Sequence, residues 1–226
     1  MRVAFTFDAE HPDREHRPAV ADGILDLLAE RAVASSWFLQ GRWVEAHGAT
    51  ARRVAADGHL VGNHTFYHAR LPLLTAAGIR TDVRSAERVI RDVVGVDPRP
   101  WFRSPFAAGA RDRRVQALIA ELGYREIRQD VVLDDWEPAR AGAVMAADAL
   151  RLVPEVGDPA VVLFHAWPPG TLEALPAIID GLRDRGALFV RLDELSDGEL
   201  DAVGRGLADP TAETIPDPAS PAQAAG

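Results

Sequence analysis

An α/β fold built on a parallel sheet is what this sequence predicts, and three observations carry that expectation. Short apolar, β-rich runs alternate with helical stripes about seven times along the chain. The runs are apolar throughout, as expected of strands covered on both faces by helices. Ionisable residues stand where several runs end, and closure into a barrel would gather those ends at one mouth.

The elements follow in order. Val3 to Phe7 is a buried strand that delivers Asp8 at its C-terminal end, and Glu10-His11-Pro12-Asp13 is a polar loop. Ile24, Leu25, Leu27 and Leu28 give a helical stripe. Ser36 to Leu39 is a second strand, Val44 to Ala56 a second helix broken by Asp57-Gly58, and Leu60 to Asn63 a third strand. Val83, Ala86, Val89, Ile90 and Val93 share one face of a long helix within 81–94. Pro98 and Pro100 frame a fourth strand, Trp101 to Arg103. Val115, Leu118, Ile119 and Leu122 mark a helix stopped by Gly123. Tyr124 to Val132 reads as one strand, followed by a helix over Ala143 to Leu152. Ala160 to Phe164 is the clearest buried strand and ends at His165. A helix over Leu172 to Leu182 and a last strand, Ala187 to Val190, complete the pattern. Residues 1–208 form one domain, and 209–226 read as a disordered tail rich in Pro and Ala.

The totals narrow the function. The 226 residues are 47% hydrophobic, enough for one sizeable core. With no cysteine, a metal site must use His, Asp or Glu. A net charge of -9 argues against nucleic acid and anionic lipid as partners. No run reaches the length of a membrane span, and Met1-Arg2-Val3-Ala4-Phe5 reads straight into a strand without a secretion leader. A soluble, cytoplasmic protein is the expectation.

The chemistry gathers around Leu60-Val61-Gly62-Asn63-His64-Thr65-Phe66-Tyr67-His68. If the backbone turns helical after Asn63, His64 and His68 fall on one face and can share a divalent ion. Histidines four apart mostly bind nothing, so the pair alone is weak evidence. Asp8, His64, Arg103 and His165 all follow strands, and Asp135-Trp136 comes shortly after another. Together they point to one cleft. Arg103, flanked by Trp101, Phe102, Pro105 and Phe106, is expected to be semi-buried and to need an anion.

In order and spacing these residues resemble the polysaccharide deacetylases of the NodB type, carbohydrate esterase family four. The resemblance runs from Val3 to about Leu195. His64-Thr65-Phe66-Tyr67-His68 matches the family's His-Ser/Thr-x-x-His, and Arg103-Ser104-Pro105-Phe106 its Arg-x-Pro-Phe/Tyr. Leu163-Phe164-His165 matches Leu-x-His. Two motifs depart. Thr6-Phe7-Asp8-Ala9-Glu10-His11 stands for Thr-Phe-Asp-Asp-Gly-Pro, with Ala9 where a metal-binding aspartate is usual. A branch that includes cyclic-amide hydrolases carries its metal carboxylate one residue later, and Glu10 has that spacing. Of Asp-x-x-Asp-Trp only Asp135-Trp136 is kept, with Val132 first, Gln129 where a tryptophan is frequent, and Asp130 out of register.

The resemblance implies a distorted (β/α)7-8 barrel. It implies a metal, zinc first and cobalt, nickel or manganese next, on Glu10, His64 and His68. It makes Asp8 the base, held by Arg103, and His165 the acid, with its pKa raised and its tautomer fixed by Asp135. The backbone N–H of Phe106 would help hold an oxyanion, and Trp136 and Leu163 would wall a small pocket suited to an acetyl methyl. The activity implied is amide hydrolysis, foremost N-deacetylation of an acetylated amino sugar or related amine, with a small molecule or glycan as substrate. Cyclic amide or imide hydrolysis of the allantoinase kind stays open, as does a catalytically silent carbohydrate-binding relative. Trp43, Phe66, Tyr67, Trp101 and Trp167 either line a sugar groove or simply pack.

Overall fold

The computed structural model of the chain describes residues 1–10 and 19–206. The tail expected at 209–226, and the polar loop beyond Glu10, lie outside the described residues. Eight strands carry the sheet: β1 (Arg2–Ala9), β2 (Ser36–Leu39), β3 (Leu60–Asn63), β4 (Trp101–Phe102), β5 (Arg125–Glu126), β6 (Val131–Val132), β7 (Ala160–His165) and β8 (Leu188–Phe189). The helices are α1 (Ala19–Glu30), α2 (Gly41–Ala46), α3 (Gly48–Ala56), α4 (Ala76–Val94), α5 (Arg113–Glu121), α6 (Gly142–Val156), α7 (Pro169–Arg183) and α8 (Asp197–Ala202). The strand order is β5-β4-β3-β2-β1-β7-β6, every recorded pair is parallel, and β8 pairs the start of β1. Among the described residues β5 and β6 do not pair, so the curled sheet is a distorted (β/α) barrel with an open seam.

Alternation along β1 sorts its side chains by face. Val3, Phe5 and Phe7 join the large core under the helices, with Ile24, Leu25, Trp37, Phe164 and Ile178. Ala4 faces the concave side with Phe38, Ile127 and Val161. That inner face is filled from below by Val190, Leu192, Leu195, Leu200 and Val203, the stretch that follows β8. Asp8 has the parity of Ala4, and His165 that of Val161, so both point to the concave side at the upper rim.

Three expected elements are corrected. The single helix at 44–56 is two, α2 and α3, hinged at His47, which caps both. The single strand at 124–132 is two short ones on opposite edges of the sheet. Ile127 N–H still bonds Phe102 O on β4, whereas Asp130 N–H bonds Val161 O on β7. The residues between cross the seam, and the carbonyls of Ile127 and Arg128 turn to Arg103 instead of a ladder. The segment after Asn63 is not helical. Thr65 and His68 hold φ of 61° and 59°, a left-handed conformation that no run of helix contains. No helix among the described residues is long and apolar enough to cross a membrane.

Candidate metal centre and active site

Register aligns the site. Asp8 pairs with His165 on one side and Phe38 on the other, and Phe38 pairs with Gly62. Gly62 has no side chain for a reason: a Cβ there would lie 2.6 Å from Phe38 Cδ1. The Phe38 ring carries the Arg103 guanidinium 4.2 Å from its centroid. From that seat Arg103 Nη1 donates to Asp8 Oδ1 at 2.8 Å, with both groups buried. Glu126 steadies the arginine's loop by accepting from Ser104 N–H (2.9 Å) and the Ser104 hydroxyl (2.7 Å).

His64 and His68 meet through a braced loop. Asp82 on α4 accepts the N–H groups of Phe66 (3.2 Å) and Tyr67 (3.0 Å). Asn63 Oδ1 accepts Thr65 N–H, while Asn63 Nδ2 donates to Val83 O and Tyr124 Oη. Thr65 Oγ1 accepts His68 N–H at 3.0 Å. The result places His64 Nε2 and His68 Nε2 3.1 Å apart. Glu10, 4% exposed, sets Oε2 at 3.4 Å from His64 Nε2 and 3.7 Å from His68 Nε2.

These three groups fit a divalent metal on their own evidence. Their ligand atoms lie within 4.8 Å of one another. His64 Nδ1 sits 2.8 Å from Arg103 O, so it carries the hydrogen and leaves Nε2 with a lone pair. Glu10 Oε2 is buried without a hydrogen-bond partner, a costly state that a cation would relieve. Burial, helped by His64, pushes His68 down to about 4, so its ring is neutral. Burial opposes charge on His64, yet the Asp8 and Glu10 carboxylates prevail and raise its pKa. Positive charge is therefore favoured where the three side chains meet. Burial likewise opposes the Glu10 carboxylate, but His165 and then His64 outweigh it and hold it down at about 2.

The second half of the site faces this cluster. His165 Nδ1 and Asp135 Oδ1 are 2.7 Å apart, and Asp135 Oδ2 accepts both His165 N–H and the Thr171 hydroxyl at 2.7 Å. Burial disfavours charge on His165, but Asp135 and then Glu10 outweigh it and raise its pKa to about 10. These carboxylates favour the protonated imidazole, whose Nε2 lies 3.7 Å from Glu10 Oε1. Trp136 stands edge-on to the His165 ring at 5.4 Å. Leu163 is buried on β7. Phe106, 45% exposed with φ of 57°, packs 4.4 Å from the His68 ring on the far side.

Contacts thus link Asp8, Glu10, His64, His68, Arg103, Asp135, His165, Trp136 and Phe106 into one group, whereas Leu163 is buried on β7 opposite Thr6 and Val132. Asp130 does not join them: it accepts Val161 N–H and Gly204 N–H and pins the C-terminal segment. Of the aromatic candidates, Trp43 is buried in the core, Phe66 packs on Gly41, and Tyr67 is 65% exposed. Trp101 packs against the inner core. Trp167 donates to Glu10 Oε1 at 3.1 Å. Thr171, Asp82 and Glu126 escaped the sequence reading, because they act through contacts that spacing does not reveal.

A parallel β/α barrel with two imidazoles and a carboxylate at its mouth, flanked by an Asp–Arg pair and a His–Asp pair, has the side chains that a metal-dependent hydrolase would need. The family model for polysaccharide deacetylase matches residues 1–127, more than half the chain, and the chain belongs to that family. The chitooligosaccharide deacetylase of Rhizobium leguminosarum bv. trifolii is 33% identical over 183 residues, covering 75% of this chain and 82% of that protein. A family 4 acetyl xylan esterase from Clostridium thermocellum, solved with a cobalt ion, superposes with a TM-score of 0.74 at 27% identity, covering 86% and 89% of the two chains. A mutant of a carbohydrate esterase family 4 pseudoenzyme from Bacillus anthracis, with restored activity, gives 0.76 at 25% identity over 85% and 66%. The chain spans about half the length of some curated relatives, 52% of one and 42% of another.

Proposed function

We propose that this protein is a metal-dependent amidohydrolase that removes the N-acetyl group from an acetylated amino sugar. The observation that carries the reading is the convergence of Glu10, His64 and His68 between two preformed ion pairs, Asp8–Arg103 and Asp135–His165. The names of the relatives, which are deacetylases of chitooligosaccharide and peptidoglycan sugars, support the substrate class.

Glu10, His64 and His68 would hold the ion, and a nitrogen and oxygen donor set without sulfur suits zinc, with cobalt, nickel or manganese as substitutes. Bound there, a divalent cation lowers the pKa of water and polarises an acyl oxygen. The chain's own groups do the rest. Asp8 commits Oδ1 to Arg103 and turns Oδ2 toward the cluster, 3.6 Å from His64 Nε2, where it can accept the proton of an attacking water. Arg103 fixes the carboxylate's orientation and offsets the cost of burying it. His165 enters with its proton on Nε2, and gives it to the departing nitrogen, since an amine leaves poorly without one. Asp135 fixes the ring by holding Nδ1–H and is itself fixed by Thr171. Trp136, Leu163 and Phe106 flank the space where an acetyl group would lie, and the Phe106 N–H is assigned to the developing oxyanion.

Hydrolysis of a cyclic amide or imide is a second reading, supported by the placing of the carboxylate two residues after Asp8. A silent sugar-binding role is a third, supported by the pseudoenzyme among the structural neighbours. It is disfavoured because a binding module has no use for the Asp135–His165 pair. The test is release of acetate from N-acetylated chitooligosaccharides by zinc-loaded protein, beside ring opening of cyclic imides. Acetate, abolished in His165→Ala, is the expected result. Ring opening alone would shift the assignment to the second reading, and neither product would shift it to the third.

A further inference from the structure

Glu10 is one methylene longer than an aspartate, and both its oxygens have calls upon them. Oε2 faces His64 and His68 and has no hydrogen-bond partner. Oε1 lies 3.7 Å from His165 Nε2 and accepts the indole N–H of Trp167 at 3.1 Å. An indole N–H only donates, so the oxygen it holds is engaged as a hydrogen-bond acceptor. Trp167 is itself held at the rim. Ala166 N–H bonds Asp8 O just before it, and Pro168 just after it caps the start of α7.

We propose that Trp167 is a positioning residue for the metal carboxylate, selecting Oε2 as the single ligand oxygen of Glu10 and keeping Oε1 apart from His165. The proposal rests on the reading of Glu10 as a ligand. Its physical content is a choice of denticity. Without the indole donor, Oε1 is free either to join Oε2 on the ion or to swing the remaining distance to His165 Nε2. The first fills a coordination position that water or substrate needs. The second draws Glu10 off the ion and engages the acid. A shorter aspartate has neither option to the same degree, so the restraint answers a need created by the longer side chain.

The experiment compares wild type, Trp167→Phe and Glu10→Ala. Zinc affinity is measured by competition with a chromophoric chelator, the visible spectrum is recorded on the cobalt(II) proteins, and thermal unfolding is followed without metal. Loss of an outer partner of a metal ligand weakens binding by about 10- to 100-fold. Trp167→Phe is therefore expected to weaken zinc by that factor and to change the intensity of the cobalt bands, with the unfolding temperature of the metal-free protein close to wild type. Wild-type affinity and spectrum in Trp167→Phe, with metal lost in Glu10→Ala, would overturn the role of Trp167 and leave Glu10 as ligand. Weaker zinc with an unchanged cobalt spectrum and a lowered unfolding temperature would reduce Trp167 to a packing role. Undiminished affinity in Glu10→Ala would remove the ligand reading itself.

Discussion

Single residues set the chemistry by what each is denied. Asp8 is buried and has one cation, Arg103, at 2.8 Å. Arg103→Met would leave that buried carboxylate without its guanidinium partner, and breaking a buried pair from one side costs about 3–5 kcal/mol. Chemical denaturation should show a loss of that size, and a loss within error would mean that Asp8 is hydrated. His165 behaves differently, because its partner Asp135 keeps the Thr171 hydroxyl and a backbone N–H after the imidazole is removed. His165→Ala should abolish turnover while zinc binding stays near normal. Loss of zinc in that variant would contradict its assignment as the acid.

At the scale of elements, the fold is a set of close approaches that hold the site. The β2–β3 pair brings Phe38 beside Gly62, and the Phe38 ring in turn supports Arg103. Gly62→Ala forces a methyl within 2.6 Å of the ring and is expected to cost about 1–3 kcal/mol, with a fall in turnover as Arg103 shifts. Below the same pair, His59 Nδ1 accepts Ser35 N–H at 3.2 Å, while the Ser35 hydroxyl, 3.0 Å from it, also receives the Trp37 indole N–H. Burial lowers the His59 pKa below 6.5. The sign follows: the unfolded chain takes up the proton first, so stability from a neutral His59 is whole above pH 6.5 and is lost as pH falls below it. His59→Phe leaves Ser35 N–H unpaired and should cost about 1–3 kcal/mol at pH 7.5 by urea unfolding, a gap that narrows on acidification. A constant gap from pH 7.5 to pH 5 would contradict this, since those are the limits over which an ordinary histidine charges.

The same elements show which structure was legible in the sequence. β2 and β3 carry the bounds expected, Ser36–Leu39 and Leu60–Asn63, because each is a run of four residues bounded by polar or turn residues, too short for a helix. The loop after Asn63 does not take the helical turn that the His64–His68 spacing allows, because its conformation is set from outside. Asp82, distant in sequence, supplies the acceptors that make left-handed Thr65 and His68 tenable. The stretch 124–132 has strand composition throughout, yet it crosses the seam and pairs with two different edges. No local pattern carries that information. The site residues were found by order along the chain, whereas Thr171, Asp82 and Glu126 act on other groups through contacts that spacing does not reveal.

For the whole molecule, an open-seamed barrel needs its floor supplied by the chain end. Leu192, Leu195, Leu200 and Val203 meet Ala4, Phe38 and Val161 beneath the site. Leu192 is fully buried, and Leu192→Ala should cost about 2–5 kcal/mol in unfolding free energy. The Phe38 ring that carries Arg103 belongs to that same inner cluster, so loss of the floor and loss of the site are coupled. All of this organisation converges on one claim, that Glu10, His64 and His68 hold a divalent metal at the barrel mouth. The most direct test is elemental analysis of the purified protein and its Glu10→Ala variant after reloading with zinc. Near-stoichiometric zinc in the parent and its loss in the variant is the predicted result. Full zinc in both would remove Glu10 from the site, and zinc in neither would contradict the metal-dependent mechanism as a whole.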